Sequence, residues 1–176
     1  MVKGWKLSTF NGALVAAYVI PTWVIPSIKI AISPVHGLYY ERANVAAALF
    51  VSDYLQLSTL ATVRFAWLLA LAKLTVVAFF ALFVAFIARA KIRNRGESME
   101  ALAIALALGS IVSFVSMLLA AKVGEIHALR LHATELLLML SIGIVMLVET
   151  APQVAKPAPS PEAVPSGELS GELSPT

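Results

Sequence analysis

Two ionisable side chains lie within stretches that are otherwise apolar, and they are the residues best suited to chemistry. Lys73 is the only charged residue in the run 65–88, and Glu135 lies near the start of the last apolar run. A charge at the centre of a bilayer costs about 2.5 to 3.5 kcal/mol on insertion scales, and such residues commonly mark a proton or solute path. Lysine can instead snorkel to the headgroups. We therefore treat Lys73 and Glu135 as a candidate intramembrane ion pair, either structural or functional.

The histidines are weaker candidates. His127 and His132 lie close to Glu125 and Glu135 in sequence, and imidazole together with carboxylate can bind zinc. Their separation of five residues does not place both on one face of a helix. We predict no metal site and no cofactor. Because the chain also has no phosphate-binding loop, nucleophile elbow or metalloprotease motif, we predict that it is not an enzyme.

Composition indicates where these residues must lie. The chain has 176 residues, of which 60% are hydrophobic, and its mean hydropathy is +0.87. A soluble domain of this size buries too small a fraction of its surface to hide so much apolar area, so the soluble class is excluded. Cysteine is absent, and the net charge is only +3. Because the basic residues cluster beside apolar runs, they suit membrane orientation and not nucleic-acid binding.

The apolar runs predict an all-α integral membrane protein with a four-span helical bundle. The predicted spans are residues 10–30, 65–88, 99–121 and 133–149, within a transmembrane domain of residues 1–150. Each is long enough, or nearly so, for a hydrocarbon core of about 30 Å. Pro21 and Pro26 predict a kink or an early end in the first span. Residues 151–176 are rich in Pro, Ser, Gly and Glu, and we predict a disordered tail.

A long segment between Gly37 and Gly96 contains no glycine or proline. Its first half is not convincingly a span. Charged and polar residues interrupt it at helical spacing, which predicts an amphipathic helix over about 38–62 on the outer side of the membrane. We expect the chain to bend near Arg64 into the second span. The sequence leaves open whether residues 38–64 lie on the membrane or continue that span.

Small residues recur every four positions on three of the spans, with Gly12 and Ala16 on the first, and predict close helix packing. The packing can serve an interface with a partner or the ordinary assembly of the bundle. The candidate interface residues are Ala101, Ala105, Gly109 and Ser113 on the third span and Ala81 and Ala85 on the second.

Basic residues predict the orientation. The densest cluster, Arg89 to Arg95, lies between the second and third spans, which favours a cytoplasmic position. With four spans, both termini are then cytoplasmic, in a multi-pass protein of the cell membrane. The leading functional hypothesis is a non-catalytic structural or accessory subunit whose partners are the lipid bilayer and other membrane subunits or further copies of itself. The alternative is a small transporter or channel subunit that uses Lys73 and Glu135.

Overall fold

The computed structural model describes residues 7–33, 42–89 and 97–150, without the side chains of 42–45 and 97. This part of the chain folds into helices and contains no strand. They are α1 (Leu7–Ile32), α2 (Arg42–Leu55), α3 (Thr59–Ala88), α4 (Glu97–Val123) and α5 (Ile126–Thr150). All except α2 are long and apolar enough to cross a membrane. The predicted all-α four-span bundle is confirmed, and the predicted tail, 151–176, lies outside the described residues.

The four long helices pack side by side, with α1 against α3, α3 against α4, α4 against α5, and α5 back against α1. Their shared centre, which we call the apolar core, includes Val19, Phe80, Phe83, Leu102 and Met139, all fully buried. Lipid tails are as apolar as these side chains, so close van der Waals fit and not water exclusion must hold the helices together. Tight packing in the core is therefore the main source of stability.

Helix α1 runs without a break through Pro21 and Pro26, so it does not end early. Each proline lacks the N–H that would bond the carbonyl oxygen four residues earlier. The carbonyls of Ala17 and Thr22 thus lose their usual helical donors. In a membrane such groups are tolerated where protein surrounds them or where they line a polar cavity.

The bend between α2 and α3 occurs earlier than predicted. The expected position near Arg64 is wrong, because α2 ends at Leu55 and α3 begins at Thr59. Gln56 adopts a left-handed φ of 50°, and Ser58 caps α3 by accepting a hydrogen bond from the Ala61 N–H. Serine is a preferred N-cap residue. The sequence feature that marks the bend is therefore the N-cap residue Ser58, and not a glycine or a proline.

Helix α2 contacts the bundle through small residues. Ala46, Ala47 and Ala48 are buried, and Ala46 packs with Ala120 of α4 and Ala128 of α5. The larger residues Leu49, Tyr54 and Leu55 are exposed. Helix α2 therefore caps one end of the bundle, which we call the α2 end: here α1 and α4 finish and α3 and α5 begin.

The opposite end is joined by a contact between α1 and α5. The Glu149 carboxylate accepts hydrogen bonds from the Ser8 hydroxyl and, at 3.3 Å, from the Ser8 backbone N–H. A carboxylate at a helix N-terminus meets both unpaired N–H groups and the positive end of the helix dipole. The start of α1 and the end of α5 are therefore fixed to each other at one end of the bundle.

Candidate functional site

The site depends on where α5 begins. The predicted fourth span begins at residue 133, whereas helix α5 begins at Ile126. Gly124, with φ of 77°, ends α4, and the N–H groups of Gly124 and Glu125 bond the carbonyls of Ala121 and Ala120. This is a Schellman motif, which favours glycine because of its positive φ. His132 is thereby a helical residue inside the bundle.

Glu135 is the centre of the site. Its Oε1 accepts a hydrogen bond from Trp23 Nε1 at 2.8 Å, and its Oε2 lies 2.9 Å from His132 Nδ1. The contact with His132 follows from their i, i+3 spacing, which places both side chains on one face of α5. Both carboxylate oxygens thus have a partner. This matters because a buried carboxylate without partners would be very costly.

Lys73 reaches the same place from α3. Its Nζ lies 5.7 Å from the centroid of the Trp23 ring, within the range of a cation–π interaction, and its charge acts on Glu135. Because α3 begins earlier than predicted, Lys73 lies about 21 Å from the start of that helix, at about 1.5 Å per residue. We call Trp23, Lys73, His132 and Glu135 the polar cluster; each is at most 5% exposed.

A cavity of about 290 Å³ adjoins the polar cluster. Its wall is mixed in character: the cluster supplies charge, and α1 supplies a hydroxyl, a phenol and the two prolines. The Thr22 hydroxyl donates to the Tyr18 carbonyl at 2.8 Å. The lining residues outside the cluster are Tyr18, Pro21, Thr22, Ile25, Pro26 and Leu131.

The structure therefore brings the predicted pair, Lys73 and Glu135, into one cluster, and adds two residues that the sequence reasoning did not assign to it. Trp23 gave no signal of its own, because its role depends on how α1 faces α5. His132 did carry a signal. Its spacing from Glu135 is that of neighbours on a helix, and Gly124 marks a helix end before it. Starting α5 after Gly124 would have placed His132 in the bundle.

The small residues of the third span face the inside of the bundle. Ala101, Ala105, Gly109 and Ser113 are all buried within α4 contacts. A Cβ atom at Gly109 would lie 2.6 Å from Met139 Sδ on α5 and 3.3 Å from Val76 Cγ1 on α3, so this row faces packing inside the bundle. Ala81 and Ala85 of α3 are instead exposed.

The two candidate metal-binding histidines are separated. His127 is exposed on α5 whereas His132 is buried. Among the residues that the structure describes, no three or more His, Asp or Glu side chains are grouped as a metal site would require.

Comparison with known proteins indicates no function: the chain matches no family model, no curated protein and no solved structure. The chemistry of the site must be argued from its geometry.

Proposed function

We propose that this protein is a small transporter or channel subunit of a membrane, and that the polar cluster is its binding site for an ion or small polar solute. The observation that carries the proposal is the burial of Lys73, His132 and Glu135 from two helices, next to a cavity that they line. Ionisable residues within spans typically mark ion and substrate pathways.

Stability alone gives no reason for this cluster. Replacing a buried ion pair with apolar residues of similar volume is often neutral or stabilises a protein by about 1 to 4 kcal/mol. A bundle selected only for packing would be served equally well by leucine and phenylalanine at these positions. Charges placed beside a cavity are better explained by what they bind.

Helix α1 supports the same function. Pro21 and Pro26 both line the cavity, together with Thr22, whose carbonyl loses its usual helical donor because Pro26 has no N–H. Backbone groups freed by a proline are tolerated in a membrane helix where they line a polar cavity. The cavity therefore offers a positively charged, a negatively charged and an imidazole side chain within a small volume.

Exchanging Lys73 for methionine tests the proposal. We expect the variant to fold, since methionine matches the length of the lysine stem, but to lose flux because the cationic group at the cavity is gone. Flux of protons, sodium and chloride is measured in liposomes containing the purified full-length chain. Lys122→Met is the matched control, because Lys122 is exposed at the end of α4. Equal fluxes in wild-type and empty liposomes, or in Lys73→Met and wild type, would contradict the proposal.

The orientation that we propose is that of a multi-pass protein of the cell membrane with both termini in the cytoplasm. It is supported by the basic residues between α3 and α4, Arg89 to Arg95, since such clusters favour the cytoplasmic side. The contact between Ser8 and Glu149 supports a common side for the two ends. The α2 end would then face outward.

A second candidate function, an accessory subunit of a larger membrane assembly or homo-oligomer, is favoured by one observation. Ala81 and Ala85 are spaced by four residues and are exposed on α3, so a partner helix has a place to approach closely. The buried row on α4 no longer supports this function, because the chain itself covers it.

Replacing Ala85 with phenylalanine tests the second candidate. We expect the variant to fold but to lose co-purification with its neighbours in mild detergent, because the ring would hold a partner helix away. Leu71→Phe is the control, since Leu71 is exposed on the same helix, 57% accessible, at another level. Unchanged complexes in both variants would remove the accessory-subunit function from consideration.

A further inference from the structure

One nitrogen of the polar cluster has no partner. Among the buried side-chain atoms that the structure describes, His132 Nε2 makes no hydrogen bond, although His132 is only 1% exposed and lines the cavity. Buried polar atoms are nearly always hydrogen-bonded, and an exception calls for an explanation. A group that Nε2 binds part of the time is such an explanation.

The neighbours of His132 determine which form the ring takes. A carboxylate only accepts hydrogen bonds, and the indole N–H of Trp23 only donates. Since Trp23 occupies Oε1 of Glu135, Oε2 is left to accept from His132 Nδ1 at 2.9 Å. Nδ1 must therefore carry a hydrogen. In the neutral ring Nε2 then has a free lone pair, and it is the basic atom of the cluster.

The surrounding charges suit the gain of one proton. Among the side chains that the structure describes, the titratable residues that line the cavity are Tyr18 on α1, Lys73 on α3, and His132 and Glu135 on α5; the described side chains of α2 and α4 contribute none. Glu135 is in direct contact with His132, whereas Lys73 lies over the Trp23 ring. Lys73 opposes a second positive charge, but Glu135 at 2.9 Å stabilises the imidazolium by a charge-assisted hydrogen bond.

We infer that His132 is the proton-loading residue of the cluster, so that the transport proposed above, on which this inference rests, is proton transport or proton-coupled transport. A hydronium ion in the cavity transfers its proton to Nε2: an O–H bond breaks, an N–H bond forms and water is left. Release is the reverse step. The electron count does not change, and Glu135 remains a carboxylate throughout, fixed by Trp23.

The cavity and the centre of the apolar core lie at different levels of the bundle. The cavity lies toward the α2 end, between the second half of α1 and the first half of α5. Toward the other end, Phe80, Phe83 and Met139 of the apolar core are fully buried. We therefore expect the proton to load from the half of the bundle nearer the α2 end, and its release to the far side to require the core to open.

The experiment is nitrogen-15 NMR of the imidazole ring in the full-length chain, in liposomes. The variant His36→Gln/His127→Gln leaves His132 as the only histidine. We expect the neutral ring with hydrogen on Nδ1 in alkaline buffer, and the appearance of an Nε2–H signal as the buffer is acidified. The opposite tautomer, or a ring that stays neutral throughout, would overturn the inference.

Proton flux in liposomes separates this inference from the proposed function. We expect proton flux to be lost in His132→Gln and retained in His127→Gln, which changes an exposed histidine on the same helix. If His132 does not titrate but wild-type liposomes carry a flux that Lys73→Met removes, the inference fails and the function stands. If His132 titrates and no flux is found, the function fails while proton loading stands. An Nε2 signal that shifts on adding a polar solute at constant pH, without titrating, would identify a solute site instead and overturn proton loading.

Discussion

Replacing Glu135 with leucine is expected to cost about 3 to 5 kcal/mol of the free energy of unfolding, the range for breaking a buried ion pair from one side. The carboxylate accepts from Trp23 at 2.8 Å and contacts His132 at 2.9 Å. Its removal leaves both N–H groups without this acceptor and takes away a negative charge that interacts with Lys73. The measurement is reversible unfolding in mixed micelles, followed by tryptophan fluorescence.

Two comparisons make that result specific. Glu100→Leu changes an exposed glutamate of α4 and should leave the unfolding free energy within about 0.5 kcal/mol. The double variant Lys73→Leu/Glu135→Leu should be more stable than Glu135→Leu alone, because it removes the charge that the single change leaves behind. Equal losses for Glu135→Leu and Glu100→Leu would contradict the geometry described for the cluster.

Replacing Gly12 with leucine is expected to cost about 3 kcal/mol of the free energy of unfolding, at the upper end of the usual range for overpacking. A Cβ atom at Gly12 would lie 2.7 Å from Leu102 Cδ2 and 3.0 Å from Phe83 Cζ. Both neighbours are fully buried, so they have little room to move aside. The leucine would force α1 away from α3 and α4, and the loss is measured by the same unfolding experiment.

Gly143 supplies the control for Gly12. It lies on α5, and a Cβ atom added there meets nothing within 4 Å. Gly143→Leu should therefore be neutral, or slightly stabilising because leucine favours a helix more than glycine does. If both leucine variants behave alike, the close approach of α1 to Leu102 and Phe83 is not what holds the bundle together.

The sequence was sufficient for the fold class, because a run such as 65–88 with a single charge has few alternatives to a membrane helix. It was insufficient at the helix ends. The turn at Gln56 has neither glycine nor proline, and a residue of this type with φ of 50° gives no composition signal. The missed start of α5 had a similar cause: Glu125, His127 and Arg130 made a helical turn look like a loop, although Gly124 indicated the helix end.

Only two of the four residues of the polar cluster could be predicted from the sequence, for a related reason. Lys73 and Glu135 stood out because a charge is conspicuous in an apolar run. Trp23 did not, since tryptophan is ordinary in a membrane helix and its hydrogen bond to Glu135 spans 112 positions of sequence. Such a contact depends on which faces of α1 and α5 meet, and a single sequence does not determine that. The small-residue row on α4 was found, but only the packing partner, Met139, decides what it serves.

The apolar core has an electrical consequence in a membrane. On α5 the carboxylates of Glu135 and Glu149 are about 21 Å apart along the helix axis, at about 1.5 Å per residue, and the core fills the space between them. Because dry apolar material has a low dielectric constant, we expect most of the membrane voltage to fall across this layer. On the proposed function, an ion that enters the cavity from the α2 end would then cross little of the field. Its passage through the core carries nearly the whole of the work, about 2.3 kcal/mol per elementary charge for each 100 mV.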